Sequence, residues 1–561
     1  MAAVLVLYAA ALGHQYLRLR SEVAQLRKDS VAVAHGVSGR PTRMALDRAV
    51  ALIQRDTGRM RRTTSTALWR AAGRTPGLSG TARSATSLAV TADAISHGVV
   101  PVLEDVALGA LAGRQGPLDL SAVSAQQTRL SQAAVLLAGA RASLDALDLR
   151  DPAFRAGHRE MRLRVDQLNR AVSGLVTIAR LAPAMTGEHG ARHYLVVLQS
   201  PAESRAAGGL VGGFLELSVV RGQVTLIRSG TNHALSAGRR PVPADAGYAK
   251  LWGAVGGQQQ WYASNLSLHF PSTARVWAGL YAQQYGVTVD GVLGVTPEAL
   301  SGLLQVVGPL RLPGGGVIQA PDVPAALEVA LYADFPRASD EAGRNAFQLE
   351  VLAGLSRLLL TSRAFTLQGV LTLSNATETG ALRLASSHPG EEALLQSTAI
   401  GGSLPSDDRP FVAWSTQNAA GNKVDVYLQR ELSFTRAPTT AGRELGTATL
   451  TLTNLAPASG LPPYVTERHD AAARTAPVGS DKLAVATYLT RGAVVRSVTV
   501  DGRPATFATG VEQDHPVVVL SVELDPGHRT TVQVVADEPV GRGPVSTVRQ
   551  VLFRPDVISL R

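Results

Sequence analysis

HYLVVLQSPAESRAAGGLVGGFLELSVVRGQVTLIR, residues 193–228, marks the change from a helical, arginine-bearing N-terminal third to a strand-rich body. Tyr194–Leu198 is an apolar strand by pattern, Gln199–Gly213 a glycine-rich loop, Phe214–Val220 a second strand, Arg221-Gly222 a turn and Gln223–Arg228 a third strand. Gly208, Gly209, Gly212 and Gly213 let the loop bring its backbone close to a neighbour. Glu203 and Arg205 set opposite charges beside them. A guanidinium working with loop amides suits an anionic group, and a turn pinned by a surface ion pair is the plainer alternative.

Working toward the N-terminus, breaks at Gly73–Gly80, Arg114–Pro117 and Asp151-Pro152 separate helical stretches at about 41–72, 80–113, 119–147 and 152–182. They are expected to form a helical bundle over residues 17–185. Residues 1–190 hold 24 of the 54 Lys and Arg but 14 of the 44 Asp and Glu, leaving 30 of each in the remainder. The whole +10 excess thus lies in the helical third, where it could meet an anionic polymer or lipid surface or simply solvate the helix faces. Arg55, Arg59, Arg61 and Arg62 form its densest cluster, without the interleaved aromatics of a nucleic-acid binder. MAAVLVLYAAAL at residues 1–12 is apolar but shorter than the roughly 20 residues that span a bilayer, so residues 1–16 are expected to be part of a membrane anchor, with a cleaved signal or a buried core helix as the alternatives. Leu19, Val23 and Leu26 then continue as an amphipathic stalk.

Working toward the C-terminus, WYASNLSLHFP places Asn265 and His269 among aromatic residues, VTVDGVLGV reads as a buried strand, and Thr296-Pro297 opens a helix. Ala325–Leu360 is helical with a break at Phe335–Asp340. Asp290 is expected to cap a neighbouring backbone, His269 to be a hydrogen-bonded core residue, and Lys423 and Asp425 to form a structural ion pair. Residues 411–434 read as a strand pair around Gly421, and TATLTLTNLAP, KLAVATYLT, VVRSVTV, VVVLSVEL and TTVQVVA alternate with period two. The fold class expected is multidomain α+β: the helical bundle, a central α/β domain over 190–410, and an immunoglobulin-like β-sandwich over 411–561. Zero cysteines exclude disulfides, thiolate metal sites and cysteine nucleophiles. The sequence holds no G-x-S-x-G, H-E-x-x-H or P-loop lysine pattern.

In their order, HYLVVLQSPAESRAAGGLVGGFLELSVVRGQVTL, NLSLHFP, VTVDGVLGVTPEALSGLLQVVGPL and GNKVDVYLQR resemble a bacterial envelope family known as domain of unknown function 4012. The resemblance implies a membrane-anchored protein facing outside the cytoplasm and no established reaction. Ser200-Pro201 stands where that family has paired asparagines, and His269 where it has an Asp before Phe-Pro. The central segment is more distantly similar to the LytR-CpsA-Psr phosphotransferases, which attach lipid-pyrophosphate-linked glycopolymers to the wall. DEAGRNAFQ carries Arg344 and Gln348 of their pattern, with Glu341 for an Asp and Phe347 for a second Arg. Their catalytic Arg-Ser-Asp would fall near Leu210–Gly212, and their Pro-Arg-Asp near Gly230–Asn232, where those side chains are absent.

The function expected is that of a single-pass cell-membrane protein of the envelope, binding or organising an anionic cell-wall or polyprenyl-pyrophosphate-linked polymer. The alternative is a divergent glycopolymer phosphotransferase, and whether any reaction is catalysed stays open. Glu203, Arg205, Gly208, Gly209, Arg228, Asn265 and Arg344 are the candidate ligand-binding residues. No metal ligand or cofactor is assigned, and no nucleic-acid partner is expected.

Overall fold

The structure, a computed structural model, describes residues 11–22, 25, 43–103, 105–106, 125–147, 152–361, 375–439, 442–473, 475–541 and 543–560. It is a multidomain α+β protein whose chain divides into two compact units near residue 184. Residues 1–10 of the expected anchor and 107–124 of the expected helices lie outside the described residues.

The first unit is helical: α1 (Arg43–Thr64), α2 (Ala67–Ala72), α3 (Ser79–Gly98), α4 (Gln127–Asp145) and α5 (Pro152–Met185). Thr66 caps α2 by accepting from the Trp69 amide, which explains why the expected helix over 41–72 breaks at Ser65. Helix α3 is the spine. Its Ala82, Ala85 and Ala89 pack with Met60, Trp69 and Ala72, and its Leu88, Ile95 and Val99 pack with Ala133, Leu137, Val165 and Val172. Small residues on one side and larger ones on the other let two layers of helices close on it. Residues 11–22 are also helical, and Leu12, Tyr16 and Leu19, spaced one turn apart, pack into the α1–α3 cluster. This part of the expected anchor and stalk therefore contributes to the bundle core. One stretch, Ser79–Leu103, is long and apolar enough to cross a membrane by length and composition, with half of its most apolar window buried in the bundle.

In the second unit, β1 (Arg192–Ser200), β2 (Leu210–Val220), β3 (Gln223–Thr231), β4 (Gly291–Val295) and β7 (Leu382–Ser386) form a sheet ordered β3-β2-β1-β4-β7, with β5 (Leu310–Arg311) and β6 (Val317–Ile318) a separate hairpin. Only β1 and β4 pair in parallel in this sheet. Strand β1 is apolar from Tyr194 to Leu198 because both faces are covered there. Leu195 and Val197 pack toward α7 (Phe270–Tyr285), which follows the short α6 (Ala246–Trp252). Val196 packs with Leu215 and Leu352 of α9 (Glu341–Thr361), and α8 (Pro297–Val307) joins α9 in a neighbouring cluster. The break before α9 falls where the pattern placed it, preceded by a π-turn at Ala326–Ala330.

The C-terminal part holds two sheets. Strands β8 (Val412–Asn418), β11 (Asp481–Leu489), β14 (Ala508–Glu512) and β15 (His515–Leu524) make one, ordered β14-β15-β11-β8. Strands β9 (Leu428–Pro438), β10 (Glu444–Asn454), β12 (Val494–Val500), β13 (Arg503–Pro504), β16 (Arg529–Glu538) and β17 (Val557–Leu560) make the other. The strands expected to pair around Gly421, β8 and β9, lie in different sheets, because the 3-10 turn Val424–Tyr427 carries the chain from one to the other. Trp414, Leu483, Val485, Val518 and Leu520 fill the space between the sheets with Phe434, Leu450 and Val534. On its other face the four-stranded sheet sends Phe411, Ala413, Ala486, Tyr488 and Val517 into the cluster built on α7. This second buried face explains why FVAW and VVVL are continuous apolar runs.

Candidate functional site

The loop between β1 and β2 is shorter than its glycines suggested, because β2 begins at Leu210 and takes in Gly212 and Gly213. What remains, Pro201–Gly209, is buried. It covers the outer edge of β8: the Asn418 amide donates to Ser204 O at 3.0 Å, Ser204 Oγ donates to Thr416 O at 3.1 Å, and the Ala206 amide donates to Gln417 Oε1 at 2.8 Å. An uncovered strand edge would leave backbone groups open to wrong pairing, and here a loop from another part of the fold closes it.

Arg205 and Glu203 sit inside that junction, each about 5–6% exposed. Arg205 donates to Glu203 Oε1 at 2.7 Å, Tyr262 O at 2.9 Å, Ser204 O at 2.8 Å and Asn418 O at 2.9 Å. Four of its five N–H donors are thus taken by the protein. Lys423 donates to the other Glu203 oxygen. Burial alone would raise the Glu203 carboxyl, but Lys423 and Arg205 hold it below the usual carboxylate range. The expected Lys423–Asp425 ion pair is therefore replaced: Lys423 bonds Glu203, and Asp425 accepts from the Ser204 amide at 2.5 Å.

Gly208 and Gly209 have φ of 133° and 131°, in the region that favours glycine, and a Cβ on Gly209 would stand 2.2 Å from Ser200 O. Asn265, wholly buried, donates to Gly209 O at 2.6 Å and Gln199 Oε1 at 3.1 Å. These five candidates meet as one internal brace.

The other two lie elsewhere. Arg344 donates to Phe335 O, Arg337 O and Ala338 O and stacks 3.6 Å over the Tyr464 ring, holding the turn before α9. Arg228 on β3 lies 4.1 Å over Tyr285 and 3.5 Å from Glu216, a buried carboxylate that also accepts from Tyr281 Oη at 2.6 Å. His269 accepts from the Leu404 amide at 3.2 Å, and burial lowers its pKa to about 4, so it is a neutral core histidine. Asp290 caps the His193 amide at 2.7 Å.

Several buried acids went unnoticed in the sequence. Glu328, on the π-turn, accepts from Ser200 Oγ at 2.6 Å and the Ala202 amide at 2.9 Å, with burial raising it to about 7. Glu512 on β14 accepts from Ser267 and Tyr488, and burial likewise raises it to about 7. Asp481 faces Asp425, and burial and that like charge push it well above the usual range. The available signal was a lone acid in an apolar run, as in ALEVALY for Glu328. Among the described residues no group of three or more His, Asp or Glu is placed to hold a metal ion.

No curated protein and no solved structure matches the chain, and nothing carries the similarity to the LytR-CpsA-Psr phosphotransferases. The family model described as Protein of unknown function (DUF4012) matches residues 189–332, from the lead into β1 to Tyr332 beyond the π-turn, so this segment is similar to that family.

Proposed function

We propose that this is a membrane-associated protein of the cell envelope that binds or organises an anionic polymer along its helical unit, with the second unit as a rigid body braced by the glycine-rich loop. The observation that carries the reading is the arginine face of α5. At roughly 100° per residue, Arg155, Arg159, Arg162, Arg170 and Arg180 fall within an arc of about 80° that runs about 38 Å along the helix. All five are exposed. Arg162 lies 3.3 Å from Asp145, and Asp166 on the same arc is taken by Arg141, while the other four have no carboxylate partner among the described residues. A different side, Val165 and Val172 with Met161, Leu168 and Val176, packs into the bundle, which leaves the charged face outward. A linear row of unpaired cations matches a chain of phosphates better than a single small anion does.

The loop candidates enter this reading as supports of the second unit rather than ligand contacts, because Arg205 and Arg344 are engaged inside the protein. A divergent phosphotransferase asks for carboxylates around those two arginines able to hold a metal, and it has less to stand on. The membrane association and the immunoglobulin-like character of the two-sheet part belong to the same proposal.

The test is titration of the full chain with poly(glycerol phosphate) at several salt concentrations. Replacing Arg155, Arg159, Arg170 and Arg180 together with serine is expected to weaken binding at least tenfold and to flatten its salt dependence. Unchanged affinity in a folded variant would overturn the proposal.

A further inference from the structure

A groove of about 340 Å³ opens between α1 and α3, bordered by Gly58, Arg62 and Ser65 on one side and Asp93 and His97 on the other. Arg62 and the Asp93 Oδ1 oxygen face each other across Gly58: its Cβ, if present, would lie 3.6 Å from Arg62 Nη1 and 3.8 Å from that oxygen. They make no ion pair. Asp93 is held instead by Arg61, which donates to Oδ2 at 2.6 Å, so Arg62 has no carboxylate partner among the described residues. His97 donates from Nδ1 to Asp93 O at 2.9 Å, which leaves Nε2 for another contact. Gln54, also on the lining, donates to Ser96 O at 3.1 Å and keeps its carbonyl oxygen available.

The groove therefore pairs a free guanidinium, suited to a phosphate, with a fixed carboxylate oxygen, an amide oxygen, the His97 Nε2 lone pair and a serine, suited to hydroxyls. Arg61 and Arg62 against Asp93 leave one net positive charge. The volume falls at the lower end of small-molecule sites. Glycine in the middle of α1 weakens the helix relative to alanine, and at position 58 it is what leaves the floor of the groove open. We infer that this groove seats one polyol-phosphate unit, its phosphate on Arg62 and its hydroxyls on Asp93 and Gln54. The inference rests on the polymer reading, for which it names the repeat.

The experiment is calorimetric titration of the full chain with glycerol 3-phosphate, and separately with inorganic phosphate. Wild type is expected to bind glycerol 3-phosphate at least tenfold tighter than phosphate. Gly58→Ala, whose added methyl meets ordinary contacts and favours the helix, and Arg62→Ala should each weaken binding at least tenfold. The α5 serine variant should leave it unchanged. Equal binding by wild type and Gly58→Ala, or equal binding of phosphate and glycerol 3-phosphate, would overturn the inference. Groove binding that persists while poly(glycerol phosphate) fails to bind would sink the polymer reading and leave the groove assignment standing.

Discussion

Arg205 and Glu203, two residues apart in one loop, are joined at 2.7 Å with both side chains 7% exposed, and Lys423 reaches the same carboxylate from beyond β8. The pair ties the β1–β2 loop of the five-stranded sheet to the two-sheet part. Removing one member leaves a buried charge without its partner, which costs about 3–5 kcal/mol. Arg205→Ala is therefore expected to lose stability of that order in urea denaturation. Polymer binding by the folded fraction should not change, and a selective loss of binding at full stability would return Arg205 to the ligand site.

Two glycines of the same region should behave differently. At Gly209 a Cβ would stand 2.2 Å from Ser200 O with φ at 131°, whereas at Gly212 the nearest atom, Leu198 O, is 3.7 Å away. Gly209→Ala should destabilise by about 3 kcal/mol or more, and Gly212→Ala by less than about 1 kcal/mol. Similar melting temperatures for both variants would contradict the loop conformation.

The facing acids Asp425 and Asp481 are both buried, and burial raises Asp481 well above its usual range, so Asp481 carries the proton. Asp425 accepts from the Ser204 amide and from Asn418 Nδ2 at 3.2 Å, so its carboxylate oxygens hold buried donors. Asp481→Asn, which mimics the protonated acid, should stay within about 1 kcal/mol of wild type at pH 7, and Asp425→Asn should lose about 2 kcal/mol or more. Denaturation of the two variants side by side decides it, and the reverse order would contradict a protonated Asp481.

Glu512 has a folded pKa of about 7 against an ordinary 4.5. The native state holds a proton that the unfolded chain releases first, so this contribution is fully present below about pH 4.5 and is lost as pH rises through 7. The loss amounts to about 3 kcal/mol. Glu512→Gln should be closest to wild type near pH 5 and more stable than it at pH 8, as read by melting temperature across that range. Parallel pH profiles would show that Glu512 is ionised in the folded protein. Glu328 and Glu538, also raised to about 7 by burial, act with the same sign and keep some slope in the variant.

Much of the architecture was legible because local rules govern it. The strands around residues 193–231, the proline-opened helix at Pro297, the break before Glu341 and the period-two strands after Glu444 all follow from apolar periodicity and from glycine and proline chemistry. The site was less legible. Gly212 and Gly213 read as loop but lie in β2, because strand pairing with β1 and β3 outweighs their weak propensity. Arg205 and Arg344 read as exposed cations, yet each is closed in by carbonyls from residues well separated or folded back in the chain.

What the sequence determined by itself was the order of helical and strand-rich parts, the concentration of basic charge in the helical third and the family segment at 189–332. Composition and short-range pattern are enough for these. Only the tertiary structure decided that the glycine-rich loop closes on β8, that Lys423 belongs to Glu203 rather than Asp425, and that Arg62 faces an open groove while Arg61 is taken by Asp93. The reason is physical: whether a charge is free depends on partners that are 213 residues away for Arg205, 32 for Arg61 and 220 for Lys423. Such distances along the chain leave no periodic trace in the sequence.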